Sequence, residues 1–199
     1  MRTRIQPIRQ SPRLAGSLVS YVISVCLSVL LFLPRNSAAG QKPIVDHRNA
    51  PEFAGGPWFN TSQNKPIALE SRRGKVTIVE FWTLGCVNCK HNLPIYNRWN
   101  RQFEGRDVTI IGVHTPETAG ERVTANVVKA IKHWGITYPI LVDTRGENWK
   151  RWGQQFWPTI YLIDKQNRIR YRWEGELEYD HQDGSRKFAK LVESLLSEN

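Results

Sequence analysis

The stretch that most narrows what this chain can fold into is residues 77–91, TIVEFWTLGCVNCKH. Strand formers, Val76, Ile78, Val79 and Phe81 among them, run into a Thr-Leu-Gly turn, and two cysteines sit where the turn becomes a helix. A Cys-x-x-Cys directly after a hydrophobic strand is the sequence form of a redox dithiol. The spacing has a mechanical reason. Cys86, at the helix N-terminus, points its sulfur at unpaired backbone N–H groups, and those groups together with the helix dipole favour a thiolate. Cys89 lies three residues on, close to one helical turn, so the two sulfurs can approach and bond. Cys86 is therefore the candidate nucleophile and Cys89 the candidate resolving thiol. Glu80 interrupts the apolar run six residues before Cys86. On a buried strand its pKa is raised, and it can act as proton acceptor for Cys89; on an edge strand it faces solvent.

Other readings of the pair are weaker. A zinc site needs more ligands, but there is no second cysteine pair, and His91 falls on a different helical face. A haem attachment needs Cys-x-x-Cys-His, and residue 90 is lysine. A permanent structural disulfide remains an alternative for an exported protein. No metal ligand set and no cofactor beyond the Cys86–Cys89 disulfide itself is expected.

The N-terminal forty residues differ in kind from the rest. They carry five arginines and no acid, and residues 14–33 form an apolar run broken mainly by serines. This reads as a secretory signal or an N-terminal membrane anchor, with Ser37-Ala38-Ala39 offering the small residues of a cleavage site. Upstream positive charge keeps that end cytoplasmic and sends the remainder across. The formal net charge of +10 is partly this local feature. Without those five arginines, 23 basic side chains face 18 acidic ones, and so modest a surplus needs no nucleic-acid partner. Cys26, the third and last cysteine, lies inside the apolar run and reads as a small apolar residue. Export would leave Cys86 and Cys89 as the thiols of a compartment in which disulfides persist.

The domain plan is a signal or anchor over 1–39, a linker over 40–50 and one domain over 51–199. Within it, strands are predicted at 66–69, 76–82, 108–113, 139–142, 159–163 and 169–173. Helices are predicted from Val87 to about Phe103, kinked at Pro94, and at 126–134, 149–156 and 187–196. Strands alternating with helices, then a hairpin and a final helix, give a three-layer α/β fold with a central mixed sheet. His114, just past a strand end, is expected in a capping or surface role, the alternative being a place on the active face. Trp82 and Trp157 are the aromatics expected to border the dithiol, the alternative for either being a place in the core.

Phe81–Cys89 (FWTLGCVNC), Gly112–Glu117 (GVHTPE) and Trp157–Asp164 (WPTIYLID) together resemble the thioredoxin superfamily, and most of all the exported or membrane-anchored thiol–disulfide oxidoreductases of the TlpA/ResA kind. The resemblance covers roughly Pro51 to the C-terminus. It implies a thioredoxin-like fold, Cys86 as the attacking thiol, Cys89 as the resolving thiol and Glu80 as the buried carboxylate. It also implies that Pro158 is a cis-proline facing the dithiol, which with Trp157 and Trp82 would form the substrate-binding rim. The implied partners are protein disulfides and a membrane or exported electron donor or acceptor, in a periplasmic or otherwise extracytoplasmic setting. Val87-Asn88 between the cysteines and Trp173 before Glu174 depart from familiar members. Two other functions compete: a thiol peroxidase of the peroxiredoxin type, and a Cu(I)-binding chaperone using Cys86, Cys89 and His91 or His114.

Overall fold

The computed structural model describes residues 42–181 and 183–198. The signal or anchor expected over 1–39 lies outside the described residues. Among the described residues, no helix is long and apolar enough to cross a membrane.

The strands are β1 (Ile44–Val45), β2 (Trp58–Phe59), β3 (Val76–Trp82), β4 (Val108–His114), β5 (Ile140–Val142), β6 (Thr159–Ile163) and β7 (Ile169–Glu174). The α-helices are α1 (Val87–Gln102), α2 (Thr124–His133), α3 (Glu147–Arg151) and α4 (Gly184–Ser197). The strands make one sheet in the order β1-β7-β6-β3-β4-β5-β2. β3, β4 and β5 run parallel, connected through α1 and α2, while β6 and β7 form an antiparallel hairpin against β3. The fold is thioredoxin-like, a mixed α/β sheet with helices over it, as the alternation of elements implied.

β3 lies in the middle, and all seven of its residues are buried. A strand covered on both faces reads as a continuous apolar run rather than an alternating one. Its side chains still divide by period two. Val76, Ile78 and Trp82 join the core formed with α1, α2 and α4, and Val79 and Phe81 join a second core with Trp58, Leu69 and Trp152. α1 buries Cys89, Leu93, Tyr96 and Trp99 at spacings of four and three, one stripe of a helix laid on the sheet. It runs through Pro94 as one element.

Several stretches differ from the sequence reading, among them Trp58–Phe59, which forms an unpredicted strand against β5. Part of the expected linker is in the sheet: Ile44 and Val45 pair with Arg172 and Tyr171 of β7, and Asn49 bridges Arg168. The strand expected at 66–69 is absent. Leu69 instead opens a 3-10 turn and is buried, and its N–H donates to the Glu52 carboxylate at 2.7 Å, so a side chain serves where a strand partner would have. The helix expected at 149–156 starts earlier and stops at Arg151, because Gly153 turns the chain at a φ of 65°.

Candidate active site

The site grows out of the C-terminal end of β3. The strand delivers the chain to the turn at Thr83–Gly85, and Cys86 caps α1. Its sulfur accepts a hydrogen bond from the Cys89 N–H at 3.0 Å, and its carbonyl accepts from the Lys90 N–H at 3.2 Å. A sulfur in that position faces the free donors and positive end of the helix. Cys86 and Cys89 are joined as a disulfide, with Cα atoms 5.2 Å apart. The two sulfurs are unequal: Cys86 is half-buried and Cys89 is 1% exposed. An incoming reagent therefore meets Cys86 first.

Glu80 is fully buried on the central strand, so the solvent-facing alternative does not hold. Burial pushes its carboxyl well above the ordinary range, and the one hydrogen bond it receives, from the Tyr138 hydroxyl at 3.1 Å to Oε1, only partly offsets this. Oε2 has no partner. Room for the group comes from Gly112, directly opposite on β4, where an added Cβ would lie 2.6 Å from Glu80 Oε1. The carboxyl acts electrostatically on Tyr96, which shares the buried stripe of α1 with Cys89 seven residues earlier. Glu80 thus lies under the helix that carries Cys89.

A second acid, Glu121, approaches the same turn. It lies in a 3-10 turn, Gly120–Arg122, and is buried. Its carboxylate accepts from the Thr83 hydroxyl, from the Gly85 N–H at 3.0 Å and from the Glu117 N–H at 2.8 Å. Burial alone would raise its pKa. The bonds from Thr83, Glu117 and Gly85, with the nearby His114, outweigh burial and hold the carboxyl below its ordinary value. Nothing in the sequence marks this residue, since a glutamate between Gly120 and Arg122 in a polar stretch reads as exposed loop.

His114 is not at the surface, as expected, but fully buried at the end of β4. Its ring meets Trp82 edge-on at 5.0 Å, and neither ring nitrogen has a hydrogen-bond partner. Burial pushes its pKa down to about 4, against the pull of Glu121, so the imidazole is neutral at pH 7.

The expected aromatic rim divides. Trp82 is fully buried, held edge-on between His114 and Trp134, so it underlies the turn and has no surface to offer a substrate. This corrects its placement at the rim. It occupies the last position of a strand covered on both faces, and the rim begins one turn later. Trp157 is half-buried and packs on Trp149 at 4.0 Å between centroids. The Trp157–Pro158 bond is cis, and the Pro158 carbonyl accepts from the Gly175 N–H at 2.8 Å. Because Thr159 pairs with Phe81, Trp157 and Pro158 enter the sheet beside the end of β3 from which the dithiol turn departs. Exposed Val87 and Phe156 add apolar surface to the two sides.

On α1 itself, exposed His91 pairs with Glu176 at 3.0 Å. Asn92, which the sequence did not mark, is buried. Its amide donates to the Gly175 carbonyl at 3.1 Å and the Tyr96 hydroxyl at 3.0 Å and accepts from the Leu177 N–H at 2.9 Å, tying the loop after β7 to the dithiol helix. Among the described residues, no group of three or more His, Cys, Asp or Glu side chains is arranged to hold a metal ion.

Comparison with known proteins agrees with this geometry. The chain is 38% identical over 146 residues to Protein DipZ of Mycobacterium tuberculosis, a match covering 73% of this chain and 21% of that protein. It therefore spans about a fifth of the length of that relative. It is 28% identical over 129 residues to the thiol-disulfide oxidoreductase ResA of Bacillus cereus, covering 65% of this chain and 69% of ResA. Among solved structures, a thiol-disulfide isomerase from Corynebacterium glutamicum superposes with a TM-score of 0.63 at 27% identity, covering 76% of this chain and 99% of that one. The AhpC/TSA family model matches residues 47–172, which hold the central strand, both cysteines, Glu80, Glu121 and Pro158. The chain belongs to the AhpC/TSA family.

Proposed function

We propose that this protein is a thiol–disulfide oxidoreductase that exchanges its Cys86/Cys89 dithiol with disulfides of other proteins. The observation that carries the reading is the asymmetry of the pair: an accessible sulfur capping a helix N-terminus, bonded to a sulfur sealed beneath it. In the reductive direction the Cys86 thiolate attacks a partner disulfide. A mixed disulfide forms and one partner thiolate leaves. Cys89 gives its proton to the Glu80 carboxylate, and its thiolate attacks Cys86 Sγ, releasing the second partner thiolate and closing the Cys86–Cys89 bond. The partner gains two electrons and, from solvent and Glu80, two protons. Half-buried Trp157, with exposed Val87 and Phe156, forms the rim on which an extended substrate segment rests, and buried Pro158 backs it.

The apolar run at 14–33, preceded by arginines, supports an extracytoplasmic setting with that segment as signal or anchor. There an exported or membrane-bound thiol donor would reduce the disulfide again. The test is a Cys89→Ala variant expressed in cells. It should accumulate mixed disulfides between Cys86 and protein partners, whereas Cys86→Ala should accumulate none. Equal, background-level trapping by both variants refutes the attacker and resolver assignment. Consumption of hydroperoxide, with no reduction of protein disulfides, would replace the reading with a peroxidase.

A further inference from the structure

The mechanism above uses one buried acid and leaves the other idle. Glu121 comes from a turn 35 residues beyond Cys86, yet its carboxylate is bonded to the first and third residues of the three-residue turn that precedes Cys86. Oε1 takes the Gly85 N–H, and Oε2 takes the Thr83 hydroxyl and the Glu117 N–H. The fit is close: a Cβ added at Gly85 would lie 2.9 Å from Glu121 Oε1. A carboxylate with three donors is fixed in place. The bonds hold the turn that sets Cys86 on the helix N-terminus. The charge is held beside the turn that leads into Cys86, the residue that becomes an anion when the disulfide is reduced, and partial burial leaves charge–charge repulsion there less screened than in open water.

We propose that Glu121 is a positioning residue of the dithiol, anchoring the turn before Cys86 and setting a fixed negative charge beside it that disfavours the Cys86 thiolate and makes the dithiol a stronger reductant. This rests on the reading of Cys86 as the attacking thiol. The sign follows from exchange chemistry: a group that destabilises the thiolate destabilises the reduced form relative to the disulfide, so the pair gives up electrons more readily. The helix N-terminus and Glu121 therefore oppose each other at one sulfur.

The test uses the full-length, reduced protein and needs no substrate. The rate of alkylation of Cys86 by iodoacetamide is followed against pH, and the dithiol is equilibrated with glutathione. Glu121→Gln preserves shape and removes the charge. It should raise the acidity constant of Cys86 about three- to tenfold, moving the alkylation midpoint to lower pH, and shift the glutathione equilibrium toward the dithiol in the same sense. Thr83→Val cuts one tie but keeps the charge, and should alter the exchange rate while leaving the midpoint in place. A merely structural Glu121 would change rates at every pH without moving the midpoint. A folded Glu121→Gln protein with the wild-type midpoint overturns the proposal. So does a Thr83→Val protein whose midpoint falls as far as expected for the loss of charge, and that variant decides the matter if Glu121→Gln does not fold. Failure of the wild-type protein to exchange with any disulfide would instead count against the oxidoreductase reading, and the two failures are told apart because alkylation reports on Cys86 alone.

Discussion

Replacing Glu80 by glutamine isolates the cost of a buried carboxylate. Glu80 is fully buried, receives one hydrogen bond from Tyr138 and has a second oxygen without a partner. Glutamine keeps the acceptor for Tyr138 and puts an amide where Oε2 was, so at low pH the two proteins differ only by a constant offset of about 1 kcal/mol. They separate as pH rises. The folded pKa of Glu80 is above its unfolded value because of burial, so the folded state binds the proton more tightly. Stability from this group is fully present below the unfolded pKa, near 4.3, and is lost as pH rises through the folded pKa. The wild type should therefore lose stability relative to Glu80→Gln by up to about 1.4 kcal/mol per pH unit above that point, until the folded pKa is reached. The assay is urea unfolding of both oxidised proteins at half-unit steps from pH 4 to 8, with the disulfide intact. Other titrating groups are common to both proteins and cancel in the difference. Curves that run parallel across that range refute the claim that burial makes Glu80 bind its proton more tightly in the folded state. The same variant should reduce a model disulfide more slowly near neutral pH than the wild type, because Cys89 has lost its proton acceptor.

His114 gives the opposite limb. Its folded pKa, pushed down to about 4 from 6.5, means that the unfolded chain takes up the proton first. Stability is present above pH 6.5 and is lost as pH falls toward 4, by about 3 kcal/mol in all. His114→Gln should flatten that acid limb in the same urea series, and an unchanged slope counts against a buried neutral imidazole. Asn92→Ala removes the acceptor of the Leu177 N–H along with the donors to the Gly175 carbonyl and the Tyr96 hydroxyl. It should cost about 2–3 kcal/mol by thermal or chemical unfolding, since buried groups are left unpaired. A loss under 0.5 kcal/mol would mean that water or a neighbour replaces them.

What was legible in the chain was what short-range pattern encodes. The run at 76–82, the glycine turn and the cysteine spacing fixed the central strand and the helix after it, because burial on both faces demands an unbroken apolar strand and the dithiol demands a helix start. Glu80 stood out for the same reason: one acid in an apolar run has to be explained. The misses are long-range. Ile44 and Val45 become a strand only because β7 lies beside them, and Leu69 avoids one only because Glu52 reaches its N–H. His114 looked like a cap until Trp82 closed over it. Glu121 was invisible because its meaning lies in Thr83 and Gly85, nearly forty positions away. Trp82 was misplaced by a single strand position, which is enough to turn a rim residue into a floor.

The short strands at the two margins of the sheet bear on how clients are received. β1 and β2 are two residues each, and β1 covers only part of a six-residue neighbour. A two-residue margin offers an arriving extended peptide few free backbone donors and acceptors, which disfavours edge-to-edge pairing of chains. A polypeptide partner of the proposed kind is thereby left the surface around Cys86 as its docking place.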